Sequence, residues 1–328
     1  MAKGYLDGKT VLITGGTGTF GSAMTRYLLE STKAKRVIIF SRDEYKQGKM
    51  AHHFNNDARL SFFLGDIRDP SRLHRAFNQV DIVIHAAALK QVPALEYNPT
   101  EAVQTNIYGT QNVITAALDR DVEQVLFISS DKAVQPINLY GASKMCAERL
   151  AVAANSYRGE TGRTLISVVR YGNVIGSRGS LIELIDTQRA SGVLPLTDTR
   201  MTRFWLHIDD VTKLVTEILG VMEGGEIFVP KMQSLKVEDV LREMAPECKI
   251  KVIGMRPGEK MHEVLITEHE AKRTKDLGNM YVILPEFLWW TPKNIFKNKK
   301  AFDPNDIYVS DNPKYLGGQK DVKKILKI

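Results

Sequence analysis

Cysteine is nearly absent from this chain; Cys146 and Cys248 are its two representatives. Two thiols cannot form a disulfide framework, and they lack metal-ligand spacing, so a reducing compartment is expected and a metal site is not. Long apolar runs are missing too. The segment from Met1 to Tyr5 leads straight into a predicted strand without an apolar signal-peptide core, and no later stretch is long enough to span a bilayer. A cytoplasmic protein with no membrane partner is therefore expected. Internal repeats and low-complexity tracts are also absent. The formal net charge of +7 invites comparison with nucleic-acid binders, but the lysines are dispersed. Their one local cluster, Lys293 to Lys300, has no interleaved aromatic stacking platform. A basic surface suited to an anionic nucleotide substrate accounts for the charge, without nucleic acid.

What is present is an ordinary globular composition, 43% apolar and 25% charged over 328 residues, enough for one large α/β unit with a small appended lobe. Residues 10–14, 36–40, 60–64, 81–85, 124–129 and 164–170 read as short buried strands rich in Val, Ile, Leu and Phe. Helix-like stretches at 21–30, 70–77, 99–118 and 140–157 lie between them. Such alternation predicts a Rossmann-type doubly wound parallel sheet with helices on both faces. The rhythm breaks after Arg170. Residues 171–180 read as a loop, 209–221 and 237–244 as helices, and 227–229 and 250–253 as short strands. The expectation is a dinucleotide-binding domain over 1–170. A smaller α/β substrate lobe over 171–328 follows, interleaved in part with the sheet and ending in a polar surface-wrapping tail.

Gly15, Gly18 and Gly21 follow the first strand and open a helix, with Thr17, Thr19 and Phe20 between them. The glycines permit a tight turn and close backbone approach, so that a pyrophosphate can sit at the helix N-terminus. Their spacing fits extended short-chain dehydrogenase/reductases. Where an NAD site carries a carboxylate at the end of the second strand, this chain has Ser41 and Arg42, with Asp43 and Lys46 beside them. A hydroxyl and a guanidinium suit a 2′-phosphate, so NADP is the expected cofactor. Asp66, followed by Ile67, fits a carboxylate accepting from the adenine amine, and Ala86 and Ala87 let a dinucleotide pass close to the backbone. His85 reads as a packed strand residue and Asn106 as a helix residue bonding a neighbouring backbone.

Ser129, Ser130, Asp131 and Lys132 follow the fifth strand, and Tyr140 and Lys144 come next. On a helix the Tyr-x-x-x-Lys spacing puts phenol and ammonium on one face, where the cation is expected to lower the phenol's pKa. Asp131 and Lys132 add an acid and a base, more than a simple dehydrogenase needs. Cys146 points off that face and reads as packing, as do Trp289 and Trp290.

These segments, together with Ala86–Lys90, Pro136–Lys144, Arg170–Val174, Gly176–Ser180, Met201–Trp205, Gly224–Lys231 and Arg256–Lys260, resemble the NADP-dependent inverting UDP-N-acetylglucosamine 4,6-dehydratases that open the bacterial pseudaminic acid pathway. The resemblance covers nearly the whole chain. Retaining dehydratases usually carry Asp-Glu where this chain has Asp131-Lys132, and 4-epimerases lack the pair. Two small departures are Ser130, where relatives often have Thr, and Gln91, where they often have His. The resemblance implies Tyr140, Lys144, Asp131 and Lys132 as catalytic groups. Ser129 and Lys90 would meet the cofactor. Lys90, Ser130, Lys132, Asn173, Arg203, Arg256 and Glu259 would meet UDP-N-acetylglucosamine, the two arginines clamping its diphosphate. It also implies a homo-oligomer, for which a hexamer is expected. The other readings are a related UDP-sugar dehydratase/epimerase of capsule or deoxy-aminosugar synthesis, and a non-catalytic NADP-sensing regulator.

Overall fold

A parallel strand with helices on both faces must be apolar along its whole length. The first strand, β1 (Thr10–Thr14), meets that demand, since all its residues are buried. The computed structural model describes residues 4–157, 162–176, 181–287 and 294–327; Trp289, Trp290 and the end of the 176–180 motif lie outside them. After β1 come α1 (Thr19–Ser31), β2 (Arg36–Ser41), α2 (Glu44–His53), β3 (Leu60–Leu64), α3 (Pro70–Ala76), β4 (Ile82–His85), β5 (Gln124–Ile128) and β6 (Leu165–Val169). They form one parallel sheet in the order β3-β2-β1-β4-β5-β6, as the alternation predicts. The strand order reverses between β1 and β4, which opens a crevice at their carboxyl ends. Beyond β6 the sheet continues with Ile227–Pro230, parallel, then Met280–Ile283, Thr274–Asp276 and Lys300–Ala301, all antiparallel.

Four local expectations need correction. Residues 171–180 are not simply a loop, because Asn173–Ile175 pairs in parallel with Thr202–His207, itself antiparallel to Gln233–Lys236. Gly172 permits this approach, since a Cβ there would lie 2.7 Å from that of Phe204. The helix expected over 99–118 is interrupted by a π-helical turn at Val103–Tyr108. The tail is anchored rather than merely wrapped. Tyr308 is fully buried, donates to the Met232 carbonyl at 2.7 Å and packs against Phe204, Tyr281 and Tyr315. A few aromatics thus hold a segment whose average polarity suggests only surface. Cys146, expected to pack, is exposed.

Arg170, at the end of β6, ties the layers together. Its guanidinium reaches Glu148 at 2.8 Å, Glu270 at 3.0 Å and the Leu265 carbonyl at 2.8 Å, all three side chains being buried. Removing the cation alone would strand two carboxylates away from water. Arg170→Met should therefore cost about 3–5 kcal/mol in urea unfolding; a loss below about 1 kcal/mol would show that the network is dispensable.

Candidate functional site

The crevice holds a cleft of about 620 Å³. Into it the fold brings the predicted glycine loop (15 and 17–21), Ser41, Arg42, Asp43 and Lys46, then Asp66, Ile67, Ala86, Ala87 and Lys90, and finally Ser129, Ser130, Lys132, Tyr140, Lys144 and Asn173. Gly15 has φ +66°, and a Cβ on it would sit 2.9 Å from the Ala87 backbone. Gly18 caps α1 without any side-chain bond to its first turn. A small-residue loop under an uncapped helix N-terminus fits a pyrophosphate.

At the end of β2, the Ser41 hydroxyl accepts from Gln47 at 3.0 Å. Arg42 is about half exposed and lies 3.6 Å from Asp66. Burial pushes the Asp66 carboxyl up, but hydrogen bonds from Arg68 and the charges of Arg68 and Arg42 outweigh it, so its pKa lies below the ordinary value. Asp43 caps α2 by accepting from the Lys46 amide at 3.0 Å. His85 is fully buried between Thr14 at 2.7 Å and Thr110 at 3.0 Å, and burial lowers its pKa to about 3, leaving a neutral packing residue.

Asn106 connects the two walls of the cleft. From the π-helical turn it accepts from the Leu89 amide at 2.8 Å and donates to the Leu89 carbonyl at 2.9 Å and to Ser143 at 2.9 Å. The segment carrying Lys90 is thereby tied to the helix Leu139–Ala153 that carries Tyr140 and Lys144. Asn138 caps that helix by accepting from the Gly141 amide at 2.8 Å. A Cβ on Gly141 would overlap the Lys132 carbonyl, so only glycine lets the helix start against the Asp131–Ala133 turn.

Asp131 lies just below the cleft surface, completely buried. Its Oδ1 accepts from Ser130 at 2.8 Å and from the Lys132 ammonium at 3.0 Å, while Oδ2 has no hydrogen-bond partner among the described residues. Lys132 keeps 31% of its side chain open and lies 3.6 Å from a second buried carboxylate, Glu263. Burial draws the Lys132 pKa down, but Asp131 and Glu263 together outweigh it, so the resting side chain is an ammonium. Burial raises the Tyr140 phenol, with Lys132 and a Ser130 hydrogen bond pulling it back.

Lys144 lies in the same cleft as Tyr140. Its nitrogen is buried, donates to the Ile128 carbonyl at 2.6 Å and sits 4.0 Å above the Phe127 ring. Burial lowers its pKa to about 7, against the charge of Glu148. The Lys132 charge also acts on Tyr140, lowering its phenol against the effect of burial.

Arg203, Arg256 and Glu259 do not line the cleft. Arg203 is buried and gives its N–H groups to the carbonyls of Thr202, Lys260 and Met261 at 2.7, 2.9 and 3.1 Å. Arg256 is exposed, and Glu259 accepts from Thr197 at 3.1 Å. Sequence reasoning overlooked Trp205 and Tyr171, which line the cleft, and Glu263 and Lys260 beneath it. Glu263 lies so far along the chain from Lys132 that no spacing rule connects them. Among the described residues there is no cluster suited to a metal ion, and no helix is long and apolar enough to cross a membrane.

Two curated relatives match almost end to end. The inverting UDP-N-acetylglucosamine 4,6-dehydratase of Campylobacter jejuni is 44% identical, over 97% of both chains. A UDP-glucose 4-epimerase of Rickettsia conorii is 42% identical, over 97% of this chain and 95% of that one. Among solved structures, Pen from Bacillus thuringiensis superposes with a TM-score of 0.89 at 38% identity, covering 98% of each chain. DesIV from Streptomyces venezuelae, a dTDP-glucose 4,6-dehydratase with NAD bound, gives 0.69 at 26% identity, covering 77% of this chain and 86% of that one. The family model described as polysaccharide biosynthesis protein matches residues 11–285, and the chain belongs to that family.

Proposed function

We propose that the chain is an inverting UDP-N-acetylglucosamine 4,6-dehydratase. The observation that carries this reading is Lys132 beside Tyr140 in one nicotinamide-type cleft, with the buried Asp131 paired to Lys132 from behind. A 4-epimerase needs one base for a hydroxyl, whereas a dehydratase must also handle the C5 hydrogen and the C6 hydroxyl. This cleft supplies groups for all three.

The glycine loop, Ala86 and Ala87 would hold the dinucleotide, and Ser41 and Arg42 would meet the 2′-phosphate of NADP. Bound there, it supplies the hydride acceptor for C4 and the hydride donor for C6. Tyr140 takes the C4 hydroxyl proton; burial raises its phenol, and the Lys132 charge pulls it back toward the ionised form. Once C4 is a ketone, C5–H is acidic, and Lys132 in its amine form removes that proton. Transfer of a proton from the Lys132 ammonium to Asp131, 3.0 Å away, leaves that amine and makes Asp131 the acid that protonates the departing C6 hydroxyl. Proton return to the opposite face of C5 inverts it and gives the 4-keto-6-deoxy-L-arabino sugar nucleotide, the form that pseudaminic acid synthesis requires. Residues 1–170 act mainly on the cofactor and residues 171–328 mainly on the sugar nucleotide. With the Arg203 guanidinium turned inward, its part is to support the wall of the substrate site rather than to clamp the diphosphate.

Proton NMR of an incubation with UDP-N-acetylglucosamine and catalytic NADP tests the reading. The expected product carries a 6-methyl signal and L-arabino couplings; a D-xylo product, or a 4-epimer with its 6-hydroxyl intact, contradicts it. Tyr140→Phe should lower kcat by about a hundredfold or more with cofactor affinity little changed. Arg42→Ala should weaken NADP by about tenfold and leave NAD unaffected in binding titrations, as expected for losing one charge-assisted phosphate contact. Equal weakening of both cofactors would assign Arg42 no part in selection.

A further inference from the structure

Two buried carboxylates face Lys132, and one of them lies far outside the Asp-Lys pair. Glu263, just before the strand Val264–Ile266, is 2% exposed. Its Oε1 stands 3.6 Å from the Lys132 nitrogen and 3.8 Å from Arg203 Nε, and its Oε2 stands 3.6 Å from the Lys260 nitrogen. Oε2 makes no hydrogen bond among the described residues. The backbone around it is fixed, because the Glu263 amide donates to the Ser310 hydroxyl at 2.9 Å and its carbonyl accepts from the Ser310 amide at 2.9 Å. The tail therefore sets where this carboxylate stands.

The groups acting on Lys132 come from four elements. Asp131 lies on its own turn, Tyr140 on the helix Leu139–Ala153, Arg203 on the strand Thr202–His207, and Lys260 and Glu263 ahead of Val264–Ile266. With Glu259, which is 3.8 Å from Arg203, the cluster holds three carboxylates and three cations. Its formal charge sums to zero. Such a balance is expected where unpaired charge is costly, and removal of one member moves the others.

We propose that Glu263 is a positioning residue for the dehydration: it acts through Lys132, fixing the ammonium beside Asp131 and setting the pH range in which the amine form takes the C5 proton. This rests on the dehydratase reading. The carboxylate favours the charged lysine, so it moves base-dependent turnover toward higher pH. Lys260, on the far oxygen of Glu263, draws off part of that effect. The two side chains thus push the same pH limb in opposite directions, which a merely structural role would not do.

The test is the pH profile of kcat/KM for the full-length enzyme with UDP-N-acetylglucosamine and NADP, followed alongside deuterium entry at C5. Glu263→Gln should move the rising limb down by about one pH unit or more, since a carboxylate at this range acts strongly on an ammonium. Glu263→Asp should restore most of the wild-type profile. Lys260→Met should move the limb up, and it decides the matter if Glu263→Gln does not fold. A limb that stays in place in Lys260→Met, or in a folded Glu263→Gln that has lost activity evenly at every pH, overturns the proposal. Wild-type enzyme that leaves UDP-N-acetylglucosamine unchanged would instead sink the dehydratase reading, a result separable from the mutant profiles.

Discussion

An ammonium held at the cleft between two buried carboxylates is the constraint on which this site turns. Lys132 is charged to satisfy Asp131 and Glu263, and in the proposed mechanism must lose that charge to act as a base. A solvated lysine would face neither demand. The surrounding fold keeps both in force: Asp131 is completely buried, Gly141 lets a helix close over the turn, and Ser310 pins the backbone of Glu263. Arg203 and Lys260 complete a cluster of zero formal charge, so changing the protonation of one member is felt by the rest.

The sheet supplies the place for this chemistry, and a few polar ties supply its alignment. The switch point between β1 and β4 opens the crevice, and the glycine loop keeps side chains out of it. Asn106, on a π-helical turn, bonds Leu89 on one wall and Ser143 on the other. A π-turn of this kind is often found at functional sites because it re-aims a side chain that a regular helix would misplace. Arg170 acts similarly one layer down, joining β6 to Glu148 and Glu270.

Much of this was legible in the chain. Uninterrupted Val, Ile and Leu runs between amphipathic stretches allow one architecture, and the parallel sheet follows with strand ends within a residue or two of those expected. The glycine loop and the Tyr140 motif announce a cleft because their spacing is local. Contacts made across long sequence separations were not legible. Arg203 reads as a phosphate ligand because guanidinium suits phosphate, yet three backbone carbonyls claim its donors. The hold on Lys144, a carbonyl at 2.6 Å and the Phe127 ring beneath it, likewise comes from a different element from its own. The tail reads as polar wrapping because composition averages over Tyr308, the residue that anchors it. Glu263 gave no local signal, since its meaning lies in a partner on a different element.

The most direct test follows hydrogen at C5. UDP-N-acetylglucosamine is incubated in deuterated water with wild-type enzyme and with Lys132→Met, NADP binding being confirmed for both, and deuterium is followed at C5 of the product. The account predicts deuterium at C5 with wild type and a loss of its entry of about a hundredfold or more in the variant. Deuterium entry at the wild-type rate without Lys132 would show that another group handles the C5 proton, and that the buried charge cluster serves the fold rather than the reaction.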